Sequence, residues 1–129
     1  MEYKSFMKVG VVGEIHTCGY EIFNNNIEYF VTNNKEEDQL TNELSDVDGI
    51  VVRTVKLSKK VLSNAKKLQV VARHGVGYDN VDYNFLNENK IALAITGTAN
   101  AVSVSEHVMT MMLCLTKNIY ESDKLVKLN

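Results

Sequence analysis

Proline is missing altogether from the 129 residues, where an average composition would supply about six. Its absence removes one of the strongest breakers of helices and strands. Element ends must therefore be read from glycines, caps and hydrophobic pattern. Cysteine is nearly absent too: Cys18 and Cys114 are the only two, they form no CxxC, and no histidines cluster with them. That excludes a disulfide framework and speaks against a metal site, and it fits a reduced, cytoplasmic protein. Cys114 lies in an apolar helical run and reads as a buried, inert thiol. No apolar run reaches the roughly 18 residues that cross a bilayer, and "MEYKSFMKVG" has no signal-peptide core, so a soluble chain is expected. Charge of one sign is lacking as well. The net charge is −2, which gives no reason to expect nucleic acid or an anionic membrane as partner. Lysines are scattered over helical stretches, whereas arginine occurs only as Arg53 and Arg73.

What is present is an alternation. Short β-rich apolar runs, "FMKVGVV" (6–12), "IEYFVT" (27–32), "DGIVVRT" (48–54), "LQVVARH" (68–74) and "IALAIT" (91–96), are each followed by a helical segment. The helices read as a short one around Cys18 to Asn25, "KEEDQLTNEL" (35–44) with Leu40 and Leu44 at i, i+4, and "SKKVLSNAKK" (58–67) capped by Ser58. "VDYNFLNENK" (81–90) follows the possible cap Asn80, and a long helix begins near Val102. Strands that are apolar throughout belong to a parallel sheet covered on both faces. Repeated β-α units with right-handed crossovers give a doubly wound α/β sheet. Five strands in this sequence resemble the flavodoxin-like arrangement, order 2-1-3-4-5, here with a long C-terminal helix. No repeat or linker divides the chain.

The last helix carries "SVSE" (103–106), which reads as a capping box of Ser103 with Glu106. It is apolar nearly all round to Leu115 and amphipathic after Thr116, the pattern of a helix buried at its start and emerging at its end.

In open α/β sheets, ligands sit beyond the carboxyl ends of the strands. Arg53 ends the third strand and Arg73 the fourth, Gly75-Val76-Gly77 follows at once, and "TGTANAVS" (96–103) is the turn after the fifth. Guanidinium groups, small turns and a helix start at neighbouring strand ends suit a small anion, above all a carboxylate. The plainer alternative is that both arginines pair with surface acids. A dinucleotide fingerprint is absent. Gly10, Gly13 and Gly19 are wrongly spaced, "GVGYDN" has Asn80 in place of the third glycine, and no acid ends a strand some twenty residues later to hold a ribose.

"DGIVVRTVKLSKKVLSNAKKLQVVARHGVGYDNVD", followed by "NAVSVSEHVMTMML", resembles the N-terminal substrate domain of the D-isomer-specific 2-hydroxyacid dehydrogenases. It lies nearest their phosphoglycerate dehydrogenase branch, and "NAVSVSEHV" is also similar to formate dehydrogenases of the same superfamily. The likeness covers residues 46 to 127 well and the first 45 only in their strand–helix pattern. It implies that the backbone amides of Val76 and Gly77 bind the carboxylate of a 2-hydroxy or 2-oxo acid. Arg53 would lie beside the substrate and, in the phosphoglycerate branch, help hold its distal anionic group. Asn100 would reach the substrate or nicotinamide side of the cleft, Val104 would pack near the nicotinamide, and Asp79 to Asp82 would rigidify the turn and cap the next helix.

The "ITGTAN" loop lacks the proline that members of the family usually carry there. The family's NAD-binding half, with its G-x-G-x-x-G, catalytic Arg, Glu and acid/base His, lies beyond the long helix, and the sequence ends at Asn129 before it. The expected organisation is a substrate-binding domain over 1–101 and an inter-domain helix over 102–129, with no catalytic residue in the chain and NAD as cofactor of the complete enzyme. Of the histidines, His74 borders the anion loop and could tune it, His107 reads as packing or capping, and His16 sits in a loop. A homo-oligomer formed through the C-terminal helix is expected. The alternative function is a non-catalytic, small-carboxylate-binding or regulatory module of the same fold. A phospho-receiver is disfavoured because Gly13-Glu14 and Arg53 stand where acids are needed, and FMN binding because no Ser/Thr-rich loop follows the first strand.

Overall fold

β-branched and aliphatic residues dominate the strands of the computed structural model, which describes residues 6–23 and 27–128. The strands are β1 (Met7–Val12), β2 (Ile27–Thr32), β3 (Gly49–Val52), β4 (Val70–Arg73) and β5 (Ala92–Ile95). They form one parallel sheet in the order β2-β1-β3-β4-β5, the arrangement expected from the β-α alternation. Between them run α1 (Thr17–Glu21), α2 (Glu37–Glu43), α3 (Lys59–Asn64) and α4 (Tyr83–Glu88). Residues 1–5 of the N-terminal reading, and Asn24 and Asn25 of the expected first helix, lie outside the described residues.

Successive strand residues face opposite sides of the sheet, and the two sides are covered unequally. Val12, Ile50, Val52 and Val71 join Leu40 and Leu44 from α2 and its end, Val61 and Leu62 from α3 and Leu86 from α4 in a single buried core. Each fully buried aliphatic side chain contributes about 1.5–3 kcal/mol. Gly10 lets α2 approach closely: a Cβ there would stand 2.5 Å from Leu44 Cδ2. On the other face, α1 stacks Tyr20 on Tyr29 of β2 with ring centroids 5.4 Å apart. Val51, Val70 and Ala72 on that face are half-buried and Ala94 is exposed, so both-face coverage is realised only in part.

Ser58 caps α3 as expected, its hydroxyl accepting from Val61 N–H. The expected Asn80 cap of α4 is not made. Asp82 is the cap and accepts from Phe85 N–H at 3.0 Å, while the Asn80 amide donates to the Val55 carbonyl at 2.7 Å.

The chain divides into two compact units, 1–97 and 98–129. The second holds α5 (Ala101–Thr116) and α6 (Ile119–Lys127). The long helix is thus interrupted: Asn118 adopts the left-handed conformation at φ 52°, with Asn118 N–H on the Leu115 carbonyl and Ser122 N–H on that of Asn118. The Ser103–Glu106 capping box is not formed, because the helix starts three residues earlier, with Asn100 as its N-cap. No residue of α5 is buried and Cys114 is half-buried. The expected buried start is not found: an all-round apolar helix needs neighbours on every side, and within its unit α5 has only the short α6 beside it. Among the described residues no helix is long and apolar enough to cross a membrane.

Candidate anion-binding site

Parallel pairing brings the carboxyl ends of β3, β4 and β5 side by side. Val52 is in register with Arg73, and Arg73 with Ile95. Arg53 follows β3 directly, is exposed, and forms no ion pair among the described residues. The reading in which both arginines pair with surface acids is therefore not realised.

The segment after β4 is held at both ends. His74 N–H donates to the Val52 carbonyl at 2.8 Å, Gly75 N–H to that of Arg73 at 2.8 Å, and the Gly75 carbonyl accepts Thr96 N–H at 3.1 Å. Beyond the loop, Leu57 N–H donates to the Asn80 carbonyl at 2.7 Å and Asp82 N–H to the Leu57 carbonyl at 3.0 Å. Leu57 and Val81 form an isolated bridge. Between these anchors, Val76 N–H and Gly77 N–H donate to no group among the described residues, and both residues are exposed. A pinned loop that leaves two successive amides unspent is a ready anion cradle, since ordering it costs little when a ligand arrives.

Arg73 belongs to this arrangement, as its strand-end position suggested, but its seat over the following loop was not legible from that position. Its Nη1 donates to the His74 carbonyl at 3.0 Å, and its Nε is buried without a hydrogen-bond partner among the described residues, a cost of about 1–3 kcal/mol. Gly75 makes room for it, for a Cβ at that position would fall on Arg73 Nη1 and Cζ, and φ there is +152°. The signal legible in the sequence is an arginine two residues before a glycine at a strand end.

A cleft of about 220 Å³ opens here, lined by Val51, Ala72, Arg73, His74, Ala94, Ile95 and Thr96. A larger one, about 370 Å³, lies beside β1 and β2 among Glu14, Ile15, Tyr20, Tyr29, Val31 and Asn33. Its only charged group is an acid, which repels a carboxylate. Asp79 Oδ2 lies 3.5 Å from where a Cβ on Gly77 would stand, but two arginines and two free amides still favour the β3–β5 end over a cleft with an acid alone.

Of the residues singled out in the sequence, Arg53, His74, Gly75, Val76 and Gly77 follow the ends of the paired strands β3 and β4, and of these only His74 lines the cleft. Asn100 and Val104 lie in the second unit. Asn100 caps α5 through its carbonyl, which accepts Val104 N–H at 2.9 Å, and its side chain makes no cap bond. The Val104 side chain is half-exposed.

Two helix starts at the sheet are closed to a dinucleotide's pyrophosphate. The start of α1 is closed by His16, whose ring accepts Cys18 N–H at 3.3 Å. The start of α4 is closed by the carboxylate of Asp82. Neither helix offers open amides to a pyrophosphate, and an anionic cap repels one. Among the described residues no three His, Cys, Asp or Glu side chains form a metal-binding group.

The family model for the D-isomer specific 2-hydroxyacid dehydrogenase catalytic domain matches residues 9–122. The D-3-phosphoglycerate dehydrogenase of Sus scrofa is 32% identical over 129 residues, which cover 98% of this chain and 24% of that protein. The NAD+-bound 3-phosphoglycerate dehydrogenase of Entamoeba histolytica superimposes with a TM-score of 0.73 at 26% identity, over 84% of this chain and 38% of that one. A glyoxylate/hydroxypyruvate reductase from Sinorhizobium meliloti, solved with NADP and malonate, gives a TM-score of 0.73 at 25% identity, over 85% of this chain and 34% of that one. The chain thus spans about a quarter of the length of the curated relatives it matches.

Proposed function

The chain belongs to the D-isomer specific 2-hydroxyacid dehydrogenase catalytic-domain family, and from that premise we propose that its β4 loop binds the carboxylate of a small 2-hydroxy or 2-oxo acid. The observation that carries this reading is the pair of unspent amides at Val76 and Gly77, held between two anchored segments. Two N–H groups in succession match the two oxygens of a carboxylate, and Arg53 and Arg73 add positive charge that offsets the Asp79 carboxylate beside Gly77. Arg53, projecting from the adjacent strand end, meets the far end of a substrate that carries a second anionic group, as 3-phosphoglycerate does. His74 tunes the potential at the loop. For Asn100 and Val104, in the second unit, the family likeness supports a role on the nicotinamide side in the complete enzyme.

The chain's part in the family reaction is to bind and orient the acid. The pyrophosphate of the hydride carrier, NAD in the complete enzyme, is not taken at the starts of α1 and α4, which are closed to it. The apolar α5 supports a further reading, that copies of the chain associate through the 102–128 helices.

An amide-resolved NMR titration of the 129-residue protein with D-glycerate, lactate and 3-phosphoglycerate tests the site. Val76 and Gly77 amide resonances are expected to shift saturably, and glycerol, which lacks the carboxylate, to leave them in place. Binding of the acids without movement of these two resonances would overturn the assignment. The protein mixed with NADH and a 2-oxo acid, pyruvate or hydroxypyruvate, is expected to show no loss of NADH absorbance.

A further inference from the structure

Arg73 ends β4 with its backbone fixed on both sides, by Val52 of β3 and Ile95 of β5. Its side chain does not reach out to an acid, for no ion pair involves it among the described residues. It folds back over the chain that follows it. Nη1 donates to the His74 carbonyl at 3.0 Å, and the guanidinium fills the space that a side chain at Gly75 would take. The backbone around that seat is fastened as well, with Gly75 N–H on the Arg73 carbonyl and the Gly75 carbonyl on Thr96 N–H. A buried Nε without a partner marks this as a place the guanidinium is held by its neighbours rather than one it occupies for its own hydrogen bonding.

Resting on the carboxylate reading above, we infer that Arg73 is a positioning residue of the anion loop: seated over Gly75, it fixes the turn so that the Val76 and Gly77 amides point outward together before a ligand arrives. Preorganisation of this kind raises affinity by lowering the ordering cost of binding. It adds a second reason for the glycine to the one its φ of +152° already gives, since any side chain at position 75 also competes with the guanidinium for one space.

The role separates from simple charge attraction through Arg73→Lys, which keeps the charge but loses the planar fork, and Arg73→Met, which loses both. Malonate is the probe, followed at the Val76 and Gly77 amides, with hydrogen exchange of the Thr96 amide measured in the free protein. Both variants are expected to bind malonate about tenfold more weakly and to exchange Thr96 about tenfold faster, while Val11 and Val52 in the central strands keep their protection. Wild-type affinity in Arg73→Lys would show that charge alone acts and would overturn the inference, as would unchanged Thr96 exchange in both variants.

Gly75→Ala provides a second route should Arg73→Met fold poorly. Alanine displaces the guanidinium, so Gly75→Ala and Arg73→Lys together are expected to lose less than the product of their separate losses. Independent, multiplying losses would count against a shared seat. If malonate leaves the wild-type Val76 and Gly77 resonances unmoved, the carboxylate reading falls and this inference with it. If it moves them and the Arg73 variants change nothing, only the positioning role falls.

Discussion

Arg53 and Arg73 follow the same pattern in the sequence, each at the end of a central strand, yet the structure gives them different surroundings. Arg73 is folded onto its own loop, while Arg53 is exposed and free of ion pairs among the described residues. If the β4 loop takes the carboxylate as proposed, a guanidinium at the neighbouring strand end discriminates by what the rest of the ligand carries. Arg53→Met is therefore expected to weaken 3-phosphoglycerate about tenfold and D-glycerate by less than twofold, because a charge-assisted hydrogen bond to a phosphate is lost only in the first case. Titrations of the two acids side by side measure the ratio, and equal losses would place Arg53 away from the distal group. At this scale the sequence was legible where a residue acts on its own near neighbours. Ser58 was readable as a cap because its partner, Val61 N–H, is three residues on. Asn80 was not, because its amide is spent on Val55, 25 positions back, and only the folded loop pair brings the two together. Asp82 then takes the cap that Asn80 leaves.

Between elements, the exposed contact of α2 with α3 is a charge pair built around Lys60, whose ammonium pairs with Asp38 and lies 3.8 Å from Glu37 Oε2. The hydrogen bond from Lys60, reinforced by its charge, holds the Asp38 carboxyl below its ordinary range, and the same bond raises Lys60. A carboxyl lowered in the folded state contributes stability that is present above its unfolded pKa and lost as pH falls through the folded value. A raised lysine contributes stability that is complete below its unfolded pKa and lost as pH rises through the folded one. Lys60→Met should accordingly lower the urea midpoint slightly at pH 7, and the difference from wild type should vanish in strong acid. It should also shrink in 0.5 M salt, as the pair is fully exposed. A difference that persists at low pH would mean the lysine stem, not the charge, joins the helices.

The end of α4 permits a gain. Ile91 N–H donates to the Leu86 carbonyl and Lys90 N–H to that of Asn87, the two bonds of a Schellman turn, with Lys90 left-handed at φ 57°. Glycine there removes the cost of that conformation, so Lys90→Gly is expected to stabilise by about 1 kcal/mol, seen as a melting point a few degrees higher. Helix ends were the least legible elements. "SVSE" has the composition of a capping box, but three additional residues before it continue the helix to Asn100. The break at Asn118 follows from a left-handed residue that local pattern does not announce, although asparagine tolerates it better than most.

The molecule as a whole consists of a sheet unit with a nearly complete core and a helical unit with none. The first was legible in full topology because continuous apolar strands separated by short helices leave few alternatives to a parallel, doubly wound sheet. The second misled because its apolar residues signal burial without naming what covers them. Val102, Met109, Met112, Leu113 and Leu115 are each more than half exposed, Leu115 at 82%, a density of apolar surface that isolated soluble chains rarely leave in water. Self-association through α5 is the simplest way for the 129-residue protein to cover it, and a two-fold pairing lets one helix serve as partner for its copy. Sedimentation at tens of micromolar is expected to show a dimer that tightens in sulfate, as apolar association does. Leu115→Glu combined with Met112→Lys should weaken it at least tenfold, because two charges are then desolvated in the contact. The anion loop lies in the other unit, so the double variant should still move the Val76 and Gly77 resonances on adding acid. A wild-type monomer throughout that range would show that α5 does not bring copies of the chain together.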